Sequence, residues 1–176
     1  MIFDPLYMLM ILPAMILGIW AQFRIHSAYG RAAKQPAPLS GAAAARHVLD
    51  SAGLGDVSVE QIPGQLTDHY DPRDKVLRLS TDVYTNRSLA AVGIAAHEAG
   101  HAIQDAQSYA PLVVRNAVVP VANFGSSAGI WMCILGLIFS WQPLLVFGIV
   151  IFSAVVFFQL VNLPVEFDAS ARAKHE

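Results

Sequence analysis

The chain has 176 residues, 55% of them hydrophobic and only 14% charged, with a formal net charge of −2 and a mean hydropathy of +0.49. Its length suits one domain of modest size, and its apolar content points to a protein that resides in a lipid bilayer. The slightly acidic balance offers no basic footprint for nucleic acid, and the single cysteine, Cys133, excludes a disulfide framework within the chain.

The first element is an apolar run of 19 residues from Pro5 to Phe23 without a charge, about the length that crosses a hydrocarbon core. No Lys or Arg precedes it, so it lacks the basic start of a cleaved signal peptide and reads as a retained anchor. After Arg24 the composition turns polar. A Pro/Ala linker, Gln35-Pro36-Ala37-Pro38, leads to Ser40, which predicts the N-cap of a short helix reaching Ser51 and closed by Gly53. His47 on that helix, and His26 near the anchor, read as packed or solvated residues.

Val57 to Ile62 alternates in strand fashion. Gln65–Tyr70 and Lys75–Ser80, joined by Asp71-Pro72-Arg73-Asp74, predict a β-hairpin. Such a strand can lend a free edge to an extended peptide, or can simply cover a neighbouring helix, and the sequence does not say which edge is open.

Next comes the most informative segment, His97-Glu98-Ala99-Gly100-His101, flanked by Ala-rich helix formers, with Ser88 as N-cap and a predicted helix over 88–107. Two imidazoles four residues apart project from one helix face, with Cβ atoms about 5–6 Å apart, which suits two ligands of one tetrahedral zinc. Glu98 lies roughly 100° round the helix from His97, placed to polarise water rather than to join the ligand set. Burying two imidazoles and a carboxylate without partners would be costly, and a metal removes that cost.

From Asn116 to Val165 the chain carries no charge for 50 residues, about 75 Å as a single helix, so it must fold back on itself. The break is predicted at Ser140-Trp141-Gln142-Pro143, giving spans near 117–139 and 143–163, with Cys133 a small core residue of the first. Glu166 follows the last span directly. A lone carboxylate there is costly unless paired or metal-bound, which makes it the leading candidate for the third ligand. Asp168, about 200° away on a continuing helix, is the runner-up; His69 is a further candidate, and His175 a weak one. Ser170 shares the face of Glu166 and can hydrogen-bond to a ligand.

All eleven Lys and Arg residues lie either between Arg24 and Arg115 or at Arg172 and Lys174. Three spans put both groups on one side, which the positive-inside rule makes cytoplasmic. The expected protein is therefore a mainly α, multi-pass cell-membrane protein: residues 1–23 an N-terminal transmembrane anchor, 24–115 a small α+β zincin-like cytoplasmic domain, 116–165 a transmembrane hairpin, and 166–176 a cytoplasmic tail.

Beyond the zinc motif, several segments carry a family resemblance: Asp68-His69-Tyr70-Asp71-Pro72-Arg73, Leu79-Ser80 with Val83-Tyr84, Ala95 to Gln104, and Leu163-Pro164-Val165-Glu166-Phe167-Asp168-Ala169-Ser170. Over most of its length the chain resembles the YugP-like membrane zinc metallopeptidases, relatives of the HtpX type of membrane-embedded gluzincin. The resemblance implies a neutral zinc endopeptidase with one Zn2+ per chain, His97, His101 and Glu166 as ligands and Glu98 as general base. HtpX-type enzymes usually carry Asp where Ser170 stands, and YugP-like chains generally continue past this glutamate. The expected chemistry is hydrolysis of peptides or membrane proteins at the cytoplasmic face, through a water whose pKa zinc lowers to about 7. His69, Tyr70 and Arg172 are the candidate oxyanion donors. The rival reading, prompted by the early stop, is a truncated, proteolytically inactive zinc-binding adaptor; a transporter lacks the ionisable residues inside the membrane that such a pathway needs.

Overall fold

A computed structural model describes residues 5–175; the start without Lys or Arg, Met1–Asp4, lies outside the described residues, as does the side chain of His175 with the reading attached to it. Helix α1 runs from Pro5 to Ala33, about ten residues beyond the expected anchor, because the stretch after Arg24 holds no proline before Pro36 and only one glycine, Gly30, among good helix formers. Leu9, Ile16, Leu17 and Trp20 along α1 are all more than half exposed, as a lipid-facing surface requires.

Helix α2, Gly41–Ser51, is capped by Ser40, whose Oγ accepts from the Ala43 N–H at 3.3 Å, and the chain leaves it through Gly53 at φ +74°. Three strands follow: β1 (Ser58–Ile62), β2 (His69–Asp71) and β3 (Val76–Ser80), in the order β1-β3-β2, with β1 parallel and β2 antiparallel to β3. The predicted hairpin is present but its first strand is short. Asp68 is the reason: its carboxylate accepts from the Ser80 N–H at 2.8 Å and the Ser80 hydroxyl at 3.0 Å, occupying the donor that a longer β2 would pair with. Upstream, Leu66 at φ +57° turns the chain away from the sheet.

A one-turn helix α3, Thr81–Thr85, leads to α4, Leu89–Ala106, whose N-cap Ser88 accepts from the Ala91 N–H at 3.2 Å. The aqueous core forms where Val48 and Leu49 of α2, Leu77 and Leu79 of β3, and Ala95, Ala99 and Ile103 of α4 meet.

Helices α5 (Ala110–Ile138) and α6 (Gln142–His175) make the hairpin, broken at Phe139–Trp141 where Ser140 adopts φ +50°, as the sequence predicts. They pack through close backbone contact: a Cβ on Gly136 would stand 2.6 Å from the Leu145 nitrogen. Helices α1, α5 and α6 are each long and apolar enough to cross a membrane. Two boundaries differ from expectation. α5 starts at Ala110 and so includes Arg115, and α6 continues through Pro164 to His175, so that residues expected as a tail are its last turns. The Ala-rich segment Ala169-Ser170-Ala171-Arg172-Ala173 sustains the helix, and its docking on α4 holds it in place.

Candidate metal centre

The site forms where the last turns of α6 cross α4. Gly100 makes the crossing possible: a Cβ there would lie 2.5 Å from the backbone oxygen of Ala169, so only glycine lets the helices approach this closely. At that distance Glu166 reaches both histidines, with Oε2 3.1 Å from His97 Nε2 and 3.8 Å from His101 Nε2. The two imidazoles stand edge to face, centroids 4.8 Å apart. One potential ligand atom from each of the three residues falls within 4.8 Å of the others.

This donor set fits zinc. Tetrahedral ligands at about 2.0–2.1 Å from the ion stand roughly 3.3 Å from each other; the Glu166 oxygen stands near that distance from both Nε2 atoms, the whole set lies within 4.8 Å, and two imidazoles with one carboxylate leave a fourth position open. The opposite ring nitrogens are engaged in the manner such ligands need. His101 Nδ1 donates to Gln104 Oε1 at 3.0 Å, and His97 Nδ1 lies 3.1 Å from Ser170 Oγ, so each Nε2 is turned toward the shared centre. Without an ion, the Glu166 carboxylate beside Nε2 holds His97 above the ordinary imidazole range, whereas burial holds His101 below it.

Glu98 points into the cavity that also exposes the histidines. Burial pushes its carboxyl up to about 7; His97 and the Tyr70 backbone N–H pull the other way, while Glu166 and Asp68 add to the rise. A carboxyl in that range is suited to taking up and releasing a proton near neutrality.

The remaining candidates fall into place around this centre. Asp168 accepts from Gln104 Nε2 at 2.8 Å and pairs with Arg172, so it faces away from the ligand cluster. Arg172 also bonds Gln107 and lies over the Tyr109 ring, and the Tyr70 hydroxyl donates to Asp105 at 3.0 Å; both are committed elsewhere as donors. His69 remains on the cavity wall, its Nδ1 2.7 Å from the Thr67 carbonyl oxygen. Sequence reasoning passed over Gln104 and Arg115. Gln104 stands three residues after His101 on the same face, a spacing that signals its role; Arg115 had counted only as a charge marking the membrane side.

Residues 7–176 match the family described as "Putative neutral zinc metallopeptidase". The chain belongs to this family. It is also 46% identical over 171 residues to the "Putative membrane protease YugP" of Bacillus subtilis (strain 168), an alignment covering 96% of this chain and 76% of that protein. No solved structure matches. A zinc metallopeptidase family, a membrane protease relative and three apolar helices together give a membrane protein with a zinc peptidase role, and a His/His/Glu cluster suited to the metal.

Proposed function

We propose that the protein is a multi-pass, membrane-embedded endopeptidase holding one zinc through His97, His101 and Glu166, and hydrolysing peptide bonds at the cytoplasmic face. The observation that carries this reading is the convergence of Glu166 from α6 on both histidines of α4, at 3.1 and 3.8 Å. A bound zinc would supply Lewis acidity toward a peptide carbonyl and make water a competent nucleophile at neutral pH.

Glu98 supplies the proton traffic. Its carboxylate takes the proton from the attacking water and then delivers it to the leaving amine, a task its burial favours. β2 supplies the alignment. As the outer strand of the sheet it has one edge paired with β3, while Asp68, His69 and Tyr70 line the cavity in front of Glu98, so an extended peptide can pair along the other edge. Tyr70 holds that strand against α4 through Asp105. His69, exposed on the wall, is the remaining one of the three expected donors to the oxyanion.

The cytoplasmic assignment rests on charge. Arg24 to Arg115 and the pair Arg172 and Lys174 hold every Lys and Arg, and three spans bring them to one side. The polar residues 24–115 then form a domain on that side.

The test uses the full chain in detergent, with a quenched fluorescent peptide and zinc analysis in parallel. Wild type is expected to hydrolyse the peptide, to stop with a chelator and to recover with zinc. Glu98→Gln is expected to keep one zinc and lose a hundredfold or more in kcat, whereas Glu166→Ala is expected to lose zinc itself. Near-normal turnover in Glu98→Gln would defeat the general-base role, and full zinc in Glu166→Ala would remove the third ligand. Zinc binding by a wild type without chelator-sensitive hydrolysis would leave a zinc-holding scaffold instead.

A further inference from the structure

We propose that Arg115 is a substrate-holding residue, donating to a main-chain oxygen of the bound peptide on the side turned away from β2; the inference rests on the peptidase reading above. Arg115 sits in the second turn of α5 and lines the same cavity as His97, Glu98, His101 and Glu166. Its Nε has no exposed surface and no hydrogen-bond partner, and no carboxylate lies within 4.0 Å of its guanidinium among the described residues. The comparison with other arginines is instructive. Arg46 also has an unpartnered Nε, but its two terminal nitrogens bond the carbonyls of Val57 and Leu54 at 2.6 and 2.8 Å. Arg78 is neutralised by Asp71 and Asp74, and Arg172 by Asp168. Arg115 is a partly buried cation whose five donors make no hydrogen bond among the described residues, although it acts through space on the Glu166 carboxylate.

A desolvated donor of this kind is unfavourable until something supplies an acceptor. The cavity indicates what does. Its walls come from β2 on one side and from Leu112, Arg115 and Asn116 of α5 on another, and no hydrogen bond joins β2 to α5 among the described residues. An extended peptide exposes carbonyl oxygens alternately along both edges. When one edge pairs with β2, the oxygens of the other edge face outward into the remaining space, where Arg115 waits. A fork of charged donors suits a carbonyl, and equally a C-terminal carboxylate, so peptides with internal and with terminal cleavage points separate the two sources. An arginine near the end of a membrane helix can also simply meet lipid headgroups; a partly buried guanidinium that lines the site cavity beside His101 and Glu166, with no hydrogen bond among the described residues, favours the substrate.

The experiment compares wild type, Arg115→Gln and Arg115→Lys as full chains in detergent, with Arg87→Gln as a control for loss of charge outside this cavity. Zinc content is measured for each. Arg115→Gln is expected to raise KM about tenfold or more with kcat within a few-fold and one zinc retained, Arg115→Lys to recover part of the loss, and Arg87→Gln to leave KM unchanged. Equal losses for capped internal peptides and free-carboxylate peptides identify the carbonyl; a loss confined to free carboxylates overturns the main-chain assignment. Binding gives an independent readout: fluorescein-labelled oxidised insulin B chain should bind Glu98→Gln at least tenfold more tightly than Glu98→Gln/Arg115→Gln. Unchanged KM and Kd, a fall in kcat alone, or loss of zinc in Arg115→Gln would each overturn the proposal. Absence of both hydrolysis by wild type and binding by Glu98→Gln would sink the peptidase reading and this role with it, whereas hydrolysis with unaltered Kd would sink this role alone.

Discussion

Two stripes of α4 are given over to different work. Along one, Ala95, Ala99, Ala102 and Ile103 are buried against α2 and the sheet; along the other, His97, Gly100, His101 and Gln104 meet the last turns of α6. The first stripe is apolar and its contacts are non-directional. The second is polar, each of its side-chain nitrogens and oxygens is aimed at a named partner, and its one close packing contact depends on a missing methyl group. The contrast teaches that core packing and the polar cluster are separable on this helix: the apolar stripe fixes where α4 lies, and the polar stripe fixes how far α6 stands from it.

The largest effect on the fold should come from the apolar side. Leu49 of α2 is fully buried in that core, and Leu49→Ala should destabilise the chain by about 2–5 kcal/mol through lost burial and the cavity left behind. Zinc bound per folded chain should stay at one. Denaturant melts in detergent, read beside zinc analysis, check both; a variant that lost zinc while its melting was unchanged would break the separation of the two stripes.

Gly100→Ala probes the polar side. Alanine is a better helix former than glycine by about 1 kcal/mol, so α4 itself gains from the change. The added Cβ, 2.5 Å from the Ala169 oxygen, cannot be accommodated without moving α6, and Glu166 moves with it. Zinc affinity should fall on the order of a hundredfold, with secondary structure preserved and stability lowered by about 1–3 kcal/mol. Competition titrations with a zinc chelator measure it, and wild-type affinity in this variant would show that the helices do not need their close approach.

How much of this was legible depends on the range of the interaction. The His97–His101 pair, the Ser40 and Ser88 caps and the break at Ser140 are local patterns, and the structure carries each of them. Glu166 could be nominated because a carboxylate at the end of an apolar run needs a partner, but the sequence placed it in a tail. The onset of charge after Val165 marks the end of the apolar run, not of a helix, and residues 169–173 continue α6 because they form helix and dock on α4. The shortened β2 was hidden for a similar reason: the Asp68–Ser80 bonds that replace strand pairing span 12 residues and leave no periodic trace. Arg115 was visible only as a charge, since no local pattern marks the cavity that it lines.

Gln104 gives the smallest and sharpest test of the two-stripe comparison. Fully buried, it accepts from His101 Nδ1 at 3.0 Å and donates through Nε2 to the Val165 carbonyl and the Asp168 carboxylate, both at 2.8 Å. One amide thus fixes the tautomer of His101 on α4 and clamps the turn of α6 that presents Glu166. Gln104→Ala should weaken zinc binding by about 10–100-fold, the usual cost of losing a partner behind a ligand. Gln104→Glu distinguishes the two duties: its carboxylate can still accept from His101, but it cannot donate to Val165 and stands against the negative charge of Asp168. If the clamp matters more than the tautomer, Gln104→Glu should bind zinc as weakly as Gln104→Ala, and neutralising its neighbour with Asp168→Asn should return part of the affinity. If Gln104→Glu instead binds zinc like wild type, the orientation of His101 is the whole contribution, and the hold on α6 belongs to Gly100 and its packing alone.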